Sequence, residues 1–346
     1  MILLLFACTE QCVVGGDPAT ALEAFGDGTD EVLLAFPWED GERVIWRDGV
    51  AIRAREFDAE GNWLGGTWFT DVDGYTLLDV VPTAEGLAVF GADEAEPGSL
   101  HVETFAGDGT PLTSEQARTG RYSAVSTARA AVADARFGVA TYVSETNVFL
   151  TLDLEGRVDE VRALERAPVA DARVASDGLG FAVVWGTAGD SPVLGLRGAD
   201  GIQVGTAIDL LGGWAGVAAD PVWTGKIWVA LAGLGSRVDG SPGGAVLING
   251  IGPAGVRTHW DTLVGDLESP VDDLALATDG DGSAAVWVSG GQVNAVAVDD
   301  ALTAQGCIVS GEASGALVDV WYADGLVTAW LASGTEMWRW TADVSP

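Results

Sequence analysis

The sequence predicts an all-β fold of repeated four-stranded antiparallel sheets, and three observations carry that reading. A short apolar run ending on an aromatic residue returns along the whole chain. A turn built from an acidic residue and glycine follows it in phase. Glycine, at 48 residues against 12 prolines, is spread through the 346 residues instead of gathering in one linker, as many tight turns require.

The first landmark runs "VLLAF" to Phe36, "LAVF" to Phe90, "VATY" to Tyr142, "FAVVW" to Trp185, "AAVW" to Trp287 and "VTAW" to Trp330, with "WVAL" to Leu231 a weaker copy. The end points are 54, 52, 43, 46, 56 and 43 residues apart, a spacing that suits one propeller blade and exceeds most short helical repeats. The second landmark appears as Glu60-Gly61, Asp108-Gly109, Glu155-Gly156 and Asp200-Gly201. Glycine tolerates positive φ, so such a pair between extended runs signals a hairpin. A further strand and turn precede the first landmark, as in "ARVASDG", "LALATDGDG" and "LVDVWYADG". Each unit therefore reads strand, turn, strand, loop, strand, turn, strand. The strands are nearly continuous in hydrophobicity, as expected of sheets covered on both faces. Packed radially, seven such units make a seven-bladed β-propeller. The segment "ARAAVADAR" (128–136) has helix-favouring residues, but its phase places it on a strand.

The last unit offers only three strands, "ALVDVW", "LVTAW" and "EMWRWTA". The segment 9–19 is expected to supply the missing outer strand of the last blade and so close the ring, since propellers avoid an open edge. Residues 20–346 then form one propeller domain. The opening "MILLLFAC" is too short to span a bilayer and lacks a basic n-region. Its "LFAC" looks like a bacterial lipobox, which implies a signal over residues 1–8 and a lipid on Cys8. Cys12 and Cys307 remain, either as a disulfide or as two buried thiols. A bond between them would staple the ring, because Cys307 falls in the outer strand region of blade six.

The units resemble the propeller-type repeats found in tandem in bacterial lipoproteins, most of them functionally uncharacterised. The resemblance covers almost the whole chain and rests on the aromatic-ended strand with its acidic-glycine turn. It implies an exported protein anchored in the bacterial cell envelope, at the outer membrane or in the periplasm, and it brings no catalytic residues.

Charge narrows the partners. Asp and Glu number 51 against 17 Lys and Arg, a formal −34, and Lys226 is the single lysine. Phosphate backbones and anionic membrane surfaces need basic patches, so nucleic acid is not expected and membrane contact is left to the lipid. The acidity reads as the solvated, self-repelling surface of a monomer. His101 and His259 lie three blades apart and form no metal cluster. "GIGPAG" (250–255) matches a dinucleotide pattern but lacks its βαβ context. Lys226 is followed by Ile227, so there is no Walker A motif, and no nucleophile elbow occurs. Calcium is the one cofactor the acidic turns suit, at Asp71 and Asp73 or at Asp279 and Asp281. Neither turn continues as an EF-hand, since Pro82 and Gly290 stand where a Glu is required, and both also read as plain β-turns.

Three long loops are expected on one propeller face, at 37–50, 91–99 and 233–244. The first carries Trp38, Arg43, Trp46 and Arg47, and the blade-to-blade connections add Trp68 and Trp214. Exposed Trp and Arg are what recognition surfaces use; the alternative is that each indole packs beneath its own loop. The function expected is an envelope-tethered, non-catalytic module binding a protein or polysaccharide. The alternative is a carbohydrate-active hydrolase or lyase using channel carboxylates, with calcium.

Overall fold

The computed structural model describes residues 13–16, 19–21, 31–38, 41–58, 61–71, 75–93, 96, 98–118, 125–143, 146–164, 172–186, 191–236, 238–313, 315–333 and 336–345. Blade 1 comprises Glu31–Trp38, Gly41–Asp48, Ala51–Phe57 and Trp63–Asp71; blade 2, Tyr75–Pro82, Gly86–Asp93, Ser99–Ala106 and Pro111–Arg118. Blade 3 is Val125–Ala133, Arg136–Val143, Thr146–Asp153 and Val158–Ala163, and blade 4 is Arg173–Ser176, Gly180–Trp185, Val193–Gly198 and Gln203–Asp209. Blade 5 has a split first strand, Gly216–Ala218 and Val222–Trp223, followed by Trp228–Leu234, Gly244–Ile251 and Arg257–Leu267. Blade 6 is Asp273–Thr278, Ser283–Ser289, Gln292–Val298 and Ala304–Glu312; blade 7 is Ala316–Ala323, Leu326–Ser333 and Glu336–Asp343. The first strands of successive blades touch in a closed cycle, blade 7 to blade 1 included. They therefore surround an axis, and the molecule is a seven-bladed β-propeller with no helix among the described residues.

The apolar strands are continuous because both of their faces are covered. Gly180–Trp185 and Trp228–Leu234 are buried along their whole length. Each pair of neighbouring blades shares one apolar cluster: Ile45, Ile52 and Phe69 meet Val80, Val89 and Phe105 between blades 1 and 2, and Val44, Trp46 and Phe57 meet Trp330 and Met337 between blades 1 and 7. Burial of this kind contributes about 25 cal/mol per Å² of apolar surface.

The acidic-glycine turn joins the third and fourth strands of its blade. Gly61, Gly109, Gly156, Gly201 and Gly255 all have φ between 71 and 87°, and each amide donates to the carbonyl three residues earlier. "GIGPAG" ends in such a turn, with Ala254 in place of the acidic residue, and joins two strands, not a strand and a helix. Blade 6 repeats the hydrogen bonding with Leu302 at φ 56°. The segment 128–136 is a strand to Ala133 and a turn at Asp134 and Ala135, whose φ values of 44 and 57° suit the tightest hairpins.

Two expectations need correction. In blade 1, "VLLAF" belongs to the first strand, not the second. The second strand is Gly41–Asp48, whose aromatic is Trp46, so the step to Phe90 is 44 residues instead of 54. The first strand is itself an apolar run, and the landmark matched it one strand early. Residues 37–38 are consequently the end of the first strand, 41–48 the second strand and Gly49-Val50 a turn, so the described part of 37–50 is not a long loop.

The N-terminal segment closes the ring in the last blade, as expected, but does so through Thr20 and Ala21 instead of residues 9–19. Thr20–Ala21 pairs antiparallel with Glu336–Asp343 as the fourth strand of blade 7, with Thr20 opposite Arg339. Val13–Gly15 adds as a fifth, parallel strand to Ala304–Glu312 of blade 6. The amide of Ala19 donates to Glu312 O, so the segment follows the edge of blade 6 before it crosses. Cys8 and Cys12 lie outside the described residues.

Candidate functional site

The largest exposed side chains gather on the rim of blade 1. In its outermost strand, Trp63–Asp71, Trp63, Leu64 and Trp68 are 67, 66 and 53% exposed. The Trp63 indole N–H donates to Gly65 O at 2.7 Å, and Arg55 lies 5.1 Å from the Trp46 ring and 5.7 Å from the Trp63 ring. Leu112, on the outer strand of blade 2, faces a groove of about 280 Å³ that Trp68, Thr70, Glu103, Phe105 and Pro111 also line. Burial works to raise the Glu103 carboxyl, but hydrogen bonds from His101, Thr70 and Ser114 outweigh it and hold the group below its ordinary pKa. No described strand pairs with the outer edge of Trp63–Asp71. From Trp63 to Thr70 this strand carries no charge, whereas the outer strands of blades 2 and 3 carry Glu115 and Arg118, and Asp159, Glu160 and Arg162. Exposed edges are ordinarily blunted by such charges.

The predicted ligand-binding residues do not form one surface. Trp38 and Arg43 are not on a loop: the Arg43 guanidinium stacks on the Trp38 ring at 3.7 Å, donates to Glu56 Oε1 at 2.5 Å and reaches Gly107 O of blade 2 at 3.1 Å. Arg43 is buried and ties two blades together. Trp46 is buried in the cluster between blades 1 and 7, and Arg47 is half-buried on the same strand. Trp68 is exposed, but on the outer strand and not in a connection. Trp214 alone sits where it was placed, 52% exposed in the connection from blade 4 to blade 5. Trp63 and Leu64 were missed because the repeat was read for its inner strands; their signal is an outer strand with no charge from Trp63 to Thr70.

The axis carries a second group. Four first strands have a bulge against the second strand, between Val32 and Leu34, Leu77 and Asp79, Val125 and Thr127, and Leu317 and Asp319. In blades 2 and 7 the residue after the bulge is Asp79 or Asp319, opposite the blade's aromatic, Phe90 or Trp330. Asp79 accepts the amide of Ala130 from blade 3 at 2.7 Å and faces Arg129 at 3.5 Å. Asp273 likewise accepts Leu317 N of the next blade at 2.9 Å, and Asp319 accepts Val320 N at 2.7 Å. Desolvation pushes Asp79 and Asp319 up to about 7 despite these bonds, and raises Asp273 as well. The charge of Asp220 raises all three, so it acts on carboxyls from blades 2, 6 and 7 together, and Arg173 lies 3.9 Å from Asp220. "TLLDVV" and "ALVDVW" share a pattern that sequence reading passed over.

Of the calcium candidates, Asp71 is exposed at a strand end and Asp73 lies outside the described residues. Asp279 caps its own hairpin: one oxygen accepts the amides of Asp281 and Gly282 at 3.0 and 2.8 Å and the other that of Asp324 in blade 7 at 3.2 Å. Burial is the largest single influence and works to raise this carboxyl, but the three amides together prevail and lower it. The Asp281 carboxyl instead lines a cavity of about 130 Å³ between blades 5 and 6, with Lys226, His259, Asp299 and Asp300. Lys226 is paired with Asp300 at 2.7 Å.

No family model and no curated protein matches the chain. Solved structures do resemble it. A chain of a mitotic checkpoint complex is 14% identical over 94% of this chain and 92% of its own, with a TM-score of 0.60. The Dos1 propeller is 11% identical over 86 and 75%, at 0.52, and a chain of the BBS1N–ARL6DN complex is 13% identical over 93 and 97%, at 0.51. The likeness is one of fold. At these identities no residue role transfers.

Proposed function

We propose that this chain is an exported, envelope-tethered, non-catalytic module that binds a protein, and that it engages an extended segment of that protein along the outer strand of blade 1. The observation that carries this reading is the edge of Trp63–Asp71, uncharged from Trp63 to Thr70 and unpaired by any described strand, with Trp63, Leu64 and Trp68 exposed along it. An edge of this kind supplies unpaired main-chain donors and acceptors for strand addition, with side-chain pockets for selectivity. The groove toward Leu112 is such a pocket. The fifth strand on blade 6 supports the reading, since an outer edge of this same molecule already takes an extended segment. The propellers seen in the checkpoint and BBS1N–ARL6DN complexes belong to protein assemblies, which agrees with it. A bonded Cys307 suits an oxidising compartment outside the cytoplasm, with Cys8 as the lipid site. A photo-crosslinking residue at position 64 should capture one partner in cells, and the Trp63→Ala/Trp68→Ala protein should lose affinity for the purified partner at least tenfold, about 1.4 kcal/mol. Unchanged affinity would overturn the assignment.

One observation favours a second reading, glycan hydrolysis in the channel: Asp79 and Asp319 have the raised pKa of a proton donor. It requires that Asp319→Asn abolish turnover of some glycan while leaving the fold intact; a panel of glycans left untouched by the parent protein would sink it.

A further inference from the structure

Cys307 is disulfide-bonded, and the chain has only two other cysteines, Cys8 and Cys12. We propose that its partner is Cys12 and that this bond is the latch of the propeller ring. Cys12 itself lies outside the described residues, but the three residues after it are in register with blade 6. Val13, Val14 and Gly15 pair in parallel with Ile308, Val309 and Ser310, so Cys12 directly precedes the first paired residue on one strand and Cys307 directly precedes it on the other. Paired strands run roughly 4.8 Å apart, within the roughly 4.4–6.8 Å between Cα atoms that a disulfide accepts. Cys8 stands five residues before Val13 and has no such register; it is left free for its lipid.

The latch matters because of the path the segment takes beyond it. Gly16 and Ala19 donate their amides to Ser310 O and Glu312 O, at 2.5 and 3.1 Å, and Thr20–Ala21 then fills the fourth position of blade 7. That closing strand is two residues long, whereas the fourth strands of blades 1 to 6 have 6 to 11. Two residues of pairing hold a sheet edge weakly. Val13 and Val14 are 61 and 49% exposed, so apolar burial does little to keep the fifth strand down. The covalent bond fixes the strap at its start and so keeps the short closing strand at high effective concentration beside blade 7. Its formation takes two protons and two electrons from the two thiols to a protein disulfide, which leaves as a dithiol after thiol–disulfide exchange. A dithiol reductant reverses it.

The test is made on the full chain. Free thiols are alkylated without reduction, and the protein is cut with a glutamyl endopeptidase, which cleaves after Glu10 and places Cys8 and Cys12 on different peptides. The expected product joins the Cys12 peptide to the Cys307 peptide. A Cys8–Cys307 product, or alkylated Cys307, overturns the proposal. In parallel, reductant should lower the urea midpoint of the parent protein and of Cys8→Ser and speed proteolysis within residues 13–21 several-fold, while Cys12→Ser should behave as the reduced protein whether or not reductant is present. A parent protein whose midpoint ignores reductant would show the bond to be no latch, even with the linkage confirmed.

Discussion

At the scale of the residue, Asp319 has the clearest consequence. Its carboxyl titrates near 7 in the fold and near its ordinary value once unfolded. Between those two values the folded state holds more protons, so this group adds stability as pH falls from above 7 toward 4. The urea midpoint should be higher at pH 5.5 than at pH 8. Relief of the −34 self-repulsion acts in the same direction, so the decisive comparison is Asp319→Asn. At pH 8 it should be more stable than the parent by roughly 1–3 kcal/mol, below the ceiling that a shift of this size sets, and its pH profile should be flatter. Asp79→Asn should gain less, since Asp79 also faces Arg129. A profile unchanged by Asp319→Asn would show that overall charge alone is responsible. Trp38 gives the opposite kind of prediction. Its ring carries Arg43, which spans blades 1 and 2, so Trp38→Ala should cost roughly 2–4 kcal/mol in urea unfolding while leaving partner affinity alone. The sequence marks both residues as unusual but is silent on their burial, because a Trp-Arg pair beside a turn reads alike whether it faces water or the next blade.

At the scale of the element, the repeat was legible because each blade obeys the same physics. Middle strands are covered on both faces and must be apolar, and the turn before the fourth strand needs a residue at positive φ. Blade 1 slipped by one strand because its first strand, Glu31–Trp38, is as apolar as a middle strand, and that slip turned the strand Gly41–Asp48 into an imagined loop. The outer strands were the least legible part. They pack on one side only, so composition there is free to serve pairing, as in Val13–Gly15 on blade 6, or recognition, as on blade 1. Leu302 tests the turn rule. It occupies the glycine position at φ 56°, yet its side chain is buried in the cluster between blades 5 and 6. Leu302→Gly removes about 1 kcal/mol of backbone strain but forfeits a packed leucine worth roughly 2–5 kcal/mol. Net destabilisation is expected by urea unfolding; a gain would mean the turn, not the core, chose the residue.

At the scale of the whole molecule, a ring is only as firm as its seam. The apolar cluster between blades 7 and 1 gathers fewer buried side chains than the other six, and the closing strand of blade 7 is two residues long. A buried ion pair stands at this place. Arg339 of blade 7 grips Glu42 of blade 1, with Nε 3.0 Å from one oxygen and Nη2 2.8 Å from the other, and the Glu42 side chain is 6% exposed. Desolvation wins over the pull of Arg339 and leaves the Glu42 carboxyl raised, which marks the pair as one whose attraction does not fully offset the cost of leaving water. Such a pair is costly to break and cheap to replace. Arg339→Met should therefore destabilise the protein by roughly 3–5 kcal/mol, because it strands a buried carboxylate. The double variant Glu42→Met/Arg339→Met should recover most or all of that loss, and measured together with both single variants it completes a double-mutant cycle. If the double variant were no more stable than Arg339→Met, the pair would be setting the register of closure and not merely satisfying itself, and the seam would depend on a geometry that apolar packing cannot reproduce.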